Sequence, residues 1–382
     1  MTTWEASSRS RGGRAAAGRA PYLAEMLRKV GPALVVSFAV AALACGGDSH
    51  QGSSSSLPLG EPISGLVAGQ WNWVGFADSS CSDGSPTGIG INPGTGPDLV
   101  FFLDGGGACS SGVTCFVLKT ATLGPFGAAE FQARTASAPG SILDRGLAGN
   151  PFADATLVFV PYCTGDVHGG DRVVTYQDGP GGTVHHTGHT NVLAYLKRVA
   201  ATYPSPRRLV VSGASAGGFG TMLNYGSVRG YYPMAEGFLI DDSGPPLKSN
   251  GGPLIQAGFV SWGVTDVLDP LCGPGVCEAD LSQGLSALLR NHPGDRFALL
   301  SWSVDPTISA FYFITPSEFA TELLDLTTTV IEPASNAAAF IAVGASHTML
   351  GNPGAVSQNG VSLVTWLGEQ VNGSAAWRTV KP

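Results

Sequence analysis

Six short apolar runs constrain this chain more than any other feature. They are 98–103 (DLVFFL), 156–160 (TLVFV), 208–211 (RLVV), 237–240 (GFLI), 297–302 (FALLSW) and 339–343 (AFIAV). Each is apolar on successive rather than alternate residues, the pattern of strands buried on both faces of a parallel sheet. Helix-like stretches lie between them, at 191–203, 217–225 and 281–289. Strands alternating with helices predict an α/β fold, a mostly parallel central sheet with helices on both faces. With 54 glycines, 26 prolines and only 13% charged residues, the fold should be rich in loops. Functional groups in such sheets gather at the carboxyl edge, so each run is followed there.

The first 45 residues read as a leader rather than as fold. Arg9, Arg11, Arg14, Arg19, Arg28 and Lys29 precede the apolar stretch 30–44, VGPALVVSFAVAALA. That stretch is short for a bilayer span and reads as a secretory signal, the alternative being a short membrane anchor. It ends Ala42-Leu43-Ala44-Cys45-Gly46, which resembles a bacterial lipobox with Cys45 as the lipidated residue. A polar, small-residue tether is expected over 46–66 and a single catalytic domain over 67–382, where 244–290 could hold a cap. The expected location is the bacterial cell envelope, with membrane attachment only through lipid on Cys45, or secretion.

Cysteine usage agrees with export. Setting Cys45 aside leaves six, Cys81, Cys109, Cys115, Cys163, Cys272 and Cys277, an even number suited to a compartment where disulfides persist. No C-x-x-C pair occurs, so no metal site is expected. Removing the leader takes six basic and two acidic residues from a chain of net charge −8 and leaves −12. Such a surface disfavours nucleic acid. It also disfavours a densely charged polyanion such as pectate, unless a local basic patch including Arg172 compensates.

The chemistry collects after the runs. The third leads into Gly213-Ala214-Ser215-Ala216-Gly217, a G-x-S-x-G motif between a strand and a helix. In an α/β-hydrolase this is the sharp turn that exposes a nucleophilic serine. The first run leads into Asp104-Gly105-Gly106-Gly107-Ala108-Cys109. A glycine loop after an early strand brings backbone N–H groups close to a substrate oxygen, so Gly106 and Gly107, with Ala216, are the candidate oxyanion hole. Chain order in this fold is serine, acid, histidine. His347 follows the last run and is the candidate base, whereas His292 precedes a strand and belongs at the opposite edge. For the acid, Asp305 closes the fifth run, and Asp241 and Asp242 close the fourth. Position favours Asp305 and leaves the other two open.

Together these residues resemble the pectin acetylesterase family, which includes the Notum-type serine carboxylesterases. The matching segments are 81–86 (CSDGSP), 103–109 (LDGGGAC), 160–163 (VPYC), 212–218 (SGASAGG), 241–244 (DDSG) and 346–348 (SHT), in the family's order. The resemblance implies an α/β-hydrolase fold with a Ser215–His347–Asp305 triad, segment 301–305 corresponding to the acid-bearing strand end. It also implies disulfides Cys81–Cys163 and Cys109–Cys115, leaving Cys272 and Cys277 to each other. The chain departs from the family at Ala108, where an aromatic residue usually precedes the loop cysteine.

The expected function is hydrolysis of an acetyl or other short-chain ester on a carbohydrate, without cofactor or metal, by a monomer. A lipase or peptidase on the same fold is one alternative. A non-catalytic, glycan-binding surface lipoprotein is the other.

Overall fold

A computed structural model describes residues 57–136, 138–248 and 252–382, with the side chains of 252–254 excepted. The expected signal segment, Cys45 and the tether as far as residue 56 lie outside the described residues. Eight strands form one sheet in the order β1-β2-β4-β3-β7-β8-β9-β10. They are β1 (Asn72–Ser80), β2 (Pro86–Asn92), β3 (Leu99–Leu103), β4 (Thr156–Val160), β7 (Arg208–Ala214), β8 (Glu236–Asp242), β9 (Arg296–Val304) and β10 (Ala337–Ala345). A separate antiparallel hairpin comprises β5 (Arg172–Tyr176) and β6 (Gly182–His186). The six expected runs are the six parallel strands; β1 and β2 add an antiparallel edge.

Both faces of the sheet are covered, which explains the uninterrupted apolar runs. In β3, Leu99, Phe101 and Leu103 join one core cluster while Val100 and Phe102 join another. The first cluster is closed by helices α2 (Gly188–Thr202) and α3 (Ala216–Tyr231), through residues such as Leu196 and Tyr225. The second is closed by α1 (Ala128–Ala136) and by a C-terminal helix, Leu363–Val371, which buries Trp366 and Leu367. Each such large apolar side chain contributes roughly 1.5–3 kcal/mol on burial.

Between β8 and β9 the chain is largely helical, with α4 (Gly252–Trp262), α5 (Thr265–Cys272), α6 (Val276–Ala279) and α7 (Ser282–Asn291). After β9 follow α8 (Pro306–Tyr312) and α9 (Pro316–Leu326). Among the described residues no helix is long and apolar enough to cross a membrane. The three disulfides are Cys81–Cys163, Cys109–Cys115 and Cys272–Cys277, the pairing that the resemblance implies. Residues 57–66 carry no helix or strand but lie along α2, where Gly60 N–H donates to Lys197 O at 2.9 Å.

Candidate active site

Ser215 sits between β7 and α3 with φ 59° and ψ −119°, a conformation that L-residues rarely adopt. The turn is this tight because its glycines admit neighbouring backbone. A Cβ on Gly213 would lie 2.2 Å from Gly217 O, and one on Gly217 would lie 2.0 Å from Leu103 O. The serine therefore stands clear of the sheet at the head of a 16-residue helix, whose first N–H groups and positive dipole end face the same region.

Beside it runs the glycine loop. A Cβ on Gly105 would come within 3.0 Å of Ser215 Cβ, so the loop passes directly against the Ser215 turn. Gly107 has φ +77° and backs onto Thr120 O, 2.0 Å from where a Cβ would stand. Most of the loop's carbonyls are taken: Thr122 N–H donates to Gly106 O at 2.7 Å and the Tyr162 hydroxyl to Gly107 O at 2.7 Å. His168 Nε2 lies 2.9 Å from Asp104 O, and because a carbonyl only accepts, that ring nitrogen carries the proton. Burial lowers the pKa of His168, so the ring stays neutral in this role. The Asp104 carboxylate in turn receives two hydrogen bonds from Arg134, at 2.6 and 2.9 Å. The N–H groups of Gly106 and Gly107 have no acceptor among the described residues. Arg134 and His168 have no local sequence signature, and Tyr162, although within the matching segment 160–163, carries no site role in the sequence reading.

Gly107, Ala108, Ser215 and Ala216 line one cavity of ≈ 20 Å³, completed by Val167, Phe219, Ile255, Ile308 and Phe311. The α4 residue Ile255 and the α8 residues Ile308 and Phe311 form its apolar far wall. Gly106 is not among the lining residues; a Cβ there would meet Tyr162 and Thr122.

On the other flank, His347 Nδ1 lies 2.7 Å from Asp305 Oδ2. The carboxylate accepts, so Nδ1 carries a proton and Nε2 is left as an acceptor. Asp305 is fully buried, and its other oxygen accepts the N–H of Ile308 at 3.0 Å as the cap of α8. Among the described residues the Ser215 hydroxyl is not hydrogen-bonded to His347; only the acid and the base are directly joined. His292 lies just before β9 and pairs loosely with Asp295 at 3.7 Å, at the other edge of the sheet.

The two aspartates closing β8 point to opposite faces. Asp241 accepts Gly244 N–H at 2.7 Å and lines a small apolar cavity with Met222, Leu239 and Phe297. Burial raises its pKa to about 8. Asp242 instead accepts the N–H groups of Met349 and Leu350, at 2.8 and 2.7 Å. Its pKa is raised to about 6 by burial, an effect reduced by those N–H donors, the Ser243 hydroxyl and the nearby His347. Neither lies within hydrogen-bond distance of His347. Among the described residues no group of three or more histidines, cysteines or acids could hold a metal ion.

A mostly parallel sheet, a strained serine turn at its carboxyl edge and a buried acid–histidine pair on the last two strands define a protein of the α/β-hydrolase class. The family model for pectinacetylesterase matches residues 74–247, from β1 through the glycine loop and the serine turn to the end of β8. Over this segment the chain is similar to the pectinacetylesterase family, a family of carboxylic ester hydrolases. A search of curated proteins gave no match.

Proposed function

We propose that the protein is an exported serine esterase that removes acetyl groups from polysaccharide. Ser215 attacks the ester carbonyl while His347 Nε2 takes its proton, and the histidine then returns that proton to the leaving alcohol. Asp305 holds the imidazole and stabilises its charged form. The N–H groups of Gly107 and Ala216, with Gly106 beside them, are the donors to the developing oxyanion. The Ser215–His347 hydrogen bond that this reading needs is of a kind that often tightens only around bound substrate.

The observation that carries this reading is the shared cavity, in which a strained serine and unpaired backbone donors meet an apolar wall. Its ≈ 20 Å³ is room for about one water-sized group, hence for the methyl of an acetyl. A long acyl chain would have to displace Ile255 or Phe311, which argues against a lipase. The missing aromatic at Ala108 does not open a large cavity, since helices α4 and α8 close that side. Arg172 is paired with Asp266 at 3.0 Å and Asp171 at 3.5 Å, so it supplies no spare positive charge. Acetylated stretches of low charge density are therefore the favoured polymer. Three disulfides support export to an oxidising compartment, and lipid on Cys45 would provide the attachment there.

The test measures acetate release from acetylated pectin and kcat/KM along a p-nitrophenyl ester series from acetate to palmitate. Activity should be greatest on the shortest esters and should vanish after treatment with a fluorophosphonate. A steady rise past octanoate would move the protein to the lipases, and no turnover of any ester would favour a binding protein.

A further inference from the structure

We propose that Asp242 is a positioning residue that couples the serine turn to the histidine loop, resting on the triad reading above. Its main-chain carbonyl accepts the N–H of Ser215 at 2.7 Å, while its side chain grips the chain just beyond His347. Met349 N–H reaches both carboxylate oxygens, at 3.0 and 2.8 Å, and Leu350 N–H reaches Oδ2 at 2.7 Å. The neighbouring Ser243 extends the grip: its hydroxyl donates to Asp242 Oδ1 at 3.2 Å and accepts Thr348 N–H at 3.1 Å. Three consecutive N–H groups after His347 are thus held from the end of β8. One residue fixes the nucleophile through its backbone and the base through its side chain.

The chemistry of the group explains why a carboxylate stands there. All four hydrogen bonds run toward its two oxygens, and none runs away from them. A carboxylate is the side chain that accepts on both oxygens and donates on neither. Asparagine has the same shape but must turn an NH₂ toward backbone N–H groups, so it loses one anchor and creates a repulsion. Asp242 is fully buried and reaches the histidine loop across 107 and 108 residues of chain. It takes the N–H groups of that loop, whereas the carbonyls of Thr348 and Leu350 are held by Trp302 and Ile142. Acid and base are still joined in the variant, because Asp305 reaches His347 independently. The expected defect is therefore a displaced imidazole rather than a lost one.

The experiment compares wild type with Asp242→Asn, using p-nitrophenyl acetate turnover and fluorophosphonate titration to count competent sites. The variant should titrate to full stoichiometry with an unchanged KM, yet kcat per titrated site should fall ~10–100-fold, as a small misplacement of a reacting group does. The downfield proton resonance expected of His347 Nδ1–H in wild type should broaden or shift in the variant. A merely structural role would lower the number of titrated sites and leave kcat per site and the resonance as they were; that result overturns the proposal. Should Asp242→Asn fail to fold, Ser243→Ala removes only the Thr348 anchor and should lower kcat per site ~3–10-fold; wild-type kcat there overturns it as well. Ser215→Ala run alongside keeps the two readings apart. Activity surviving in Ser215→Ala refutes the triad, whereas an inactive Ser215→Ala beside an unimpaired Asp242→Asn refutes the coupling alone.

Discussion

The glycine loop after β3 and the histidine loop after β10 flank the same serine with opposite hydrogen-bonding patterns. In the first, the carbonyls of Asp104, Gly106 and Gly107 are engaged by His168, Thr122 and Tyr162, and the N–H groups of Gly106 and Gly107 stay free. In the second, the N–H groups of Thr348, Met349 and Leu350 are all engaged, and the free group is the far nitrogen of the His347 ring. Each loop satisfies what anchors it and leaves open the groups proposed to act. An unpaired buried backbone donor is costly, so free donors beside a cavity mark a place where a ligand atom completes the structure.

Five substitutions would break or sharpen that contrast. The largest effect is expected at the open group of the histidine loop, where His347→Ala should reduce kcat ~10⁴-fold or more. His292→Ala, at the other edge, should leave kcat near wild type; a comparable loss there would remove His347 from its role. Next, Asp305→Asn should lower kcat roughly 10²–10⁴-fold by misorienting the imidazole. If Asp241→Asn does more damage in a folded protein, the acid has been misassigned. On the glycine side, Gly107→Ala meets both a φ of +77° and Thr120 O at 2.0 Å. It should displace the loop and reduce kcat ~10²–10³-fold, the loss typical of one oxyanion donor. Circular dichroism should show the fold retained, and undiminished turnover would take Gly107 out of the oxyanion hole.

The smallest effect concerns Asp241, and it is on stability. Its folded pKa of about 8 lies above the ordinary value of 3.8. The stability linked to it is fully present below the ordinary value and is lost as pH rises through about 8. Asp241→Asn cannot ionise, so it should match wild type near pH ~4 and melt a few degrees higher near pH ~9. Equal melting of the two proteins at both pH values would show that Asp241 does not titrate upward as burial requires.

The six parallel strands were legible because burial on both faces demands apolar residues in succession. The edge strands β1 and β2 were not, since Asn72–Ser80 mixes polar and small residues with aromatics. Nor was the β5–β6 hairpin, whose residues are mostly exposed or half-buried. The placement of Ser215, His347 and Asp305 at strand ends could be read because chain order limits where each can fall. The supports could not. Arg134 reaches Asp104 over 30 residues, Tyr162 reaches Gly107 over 55, and His168 reaches Asp104 over 64. Such pairs follow from the tertiary arrangement and leave no spacing to recognise. Asp242 was visible as a candidate acid, yet apart from the adjacent Ser243 hydroxyl its observed side-chain partners are backbone groups more than 100 residues away.

The turn at Ser215 has a consequence for how the protein ages under mutation. At φ 59° and ψ −119° every side chain is strained, at a cost of order 1–3 kcal/mol, and glycine alone is at ease. Ser215→Ala and Ser215→Gly should both be inactive, yet their melting temperatures should differ, the glycine protein outlasting the wild type by several degrees. At this one position the best residue for durability and the best residue for turnover are different amino acids. Selection for thermal robustness alone would therefore favour an inactive residue at this position.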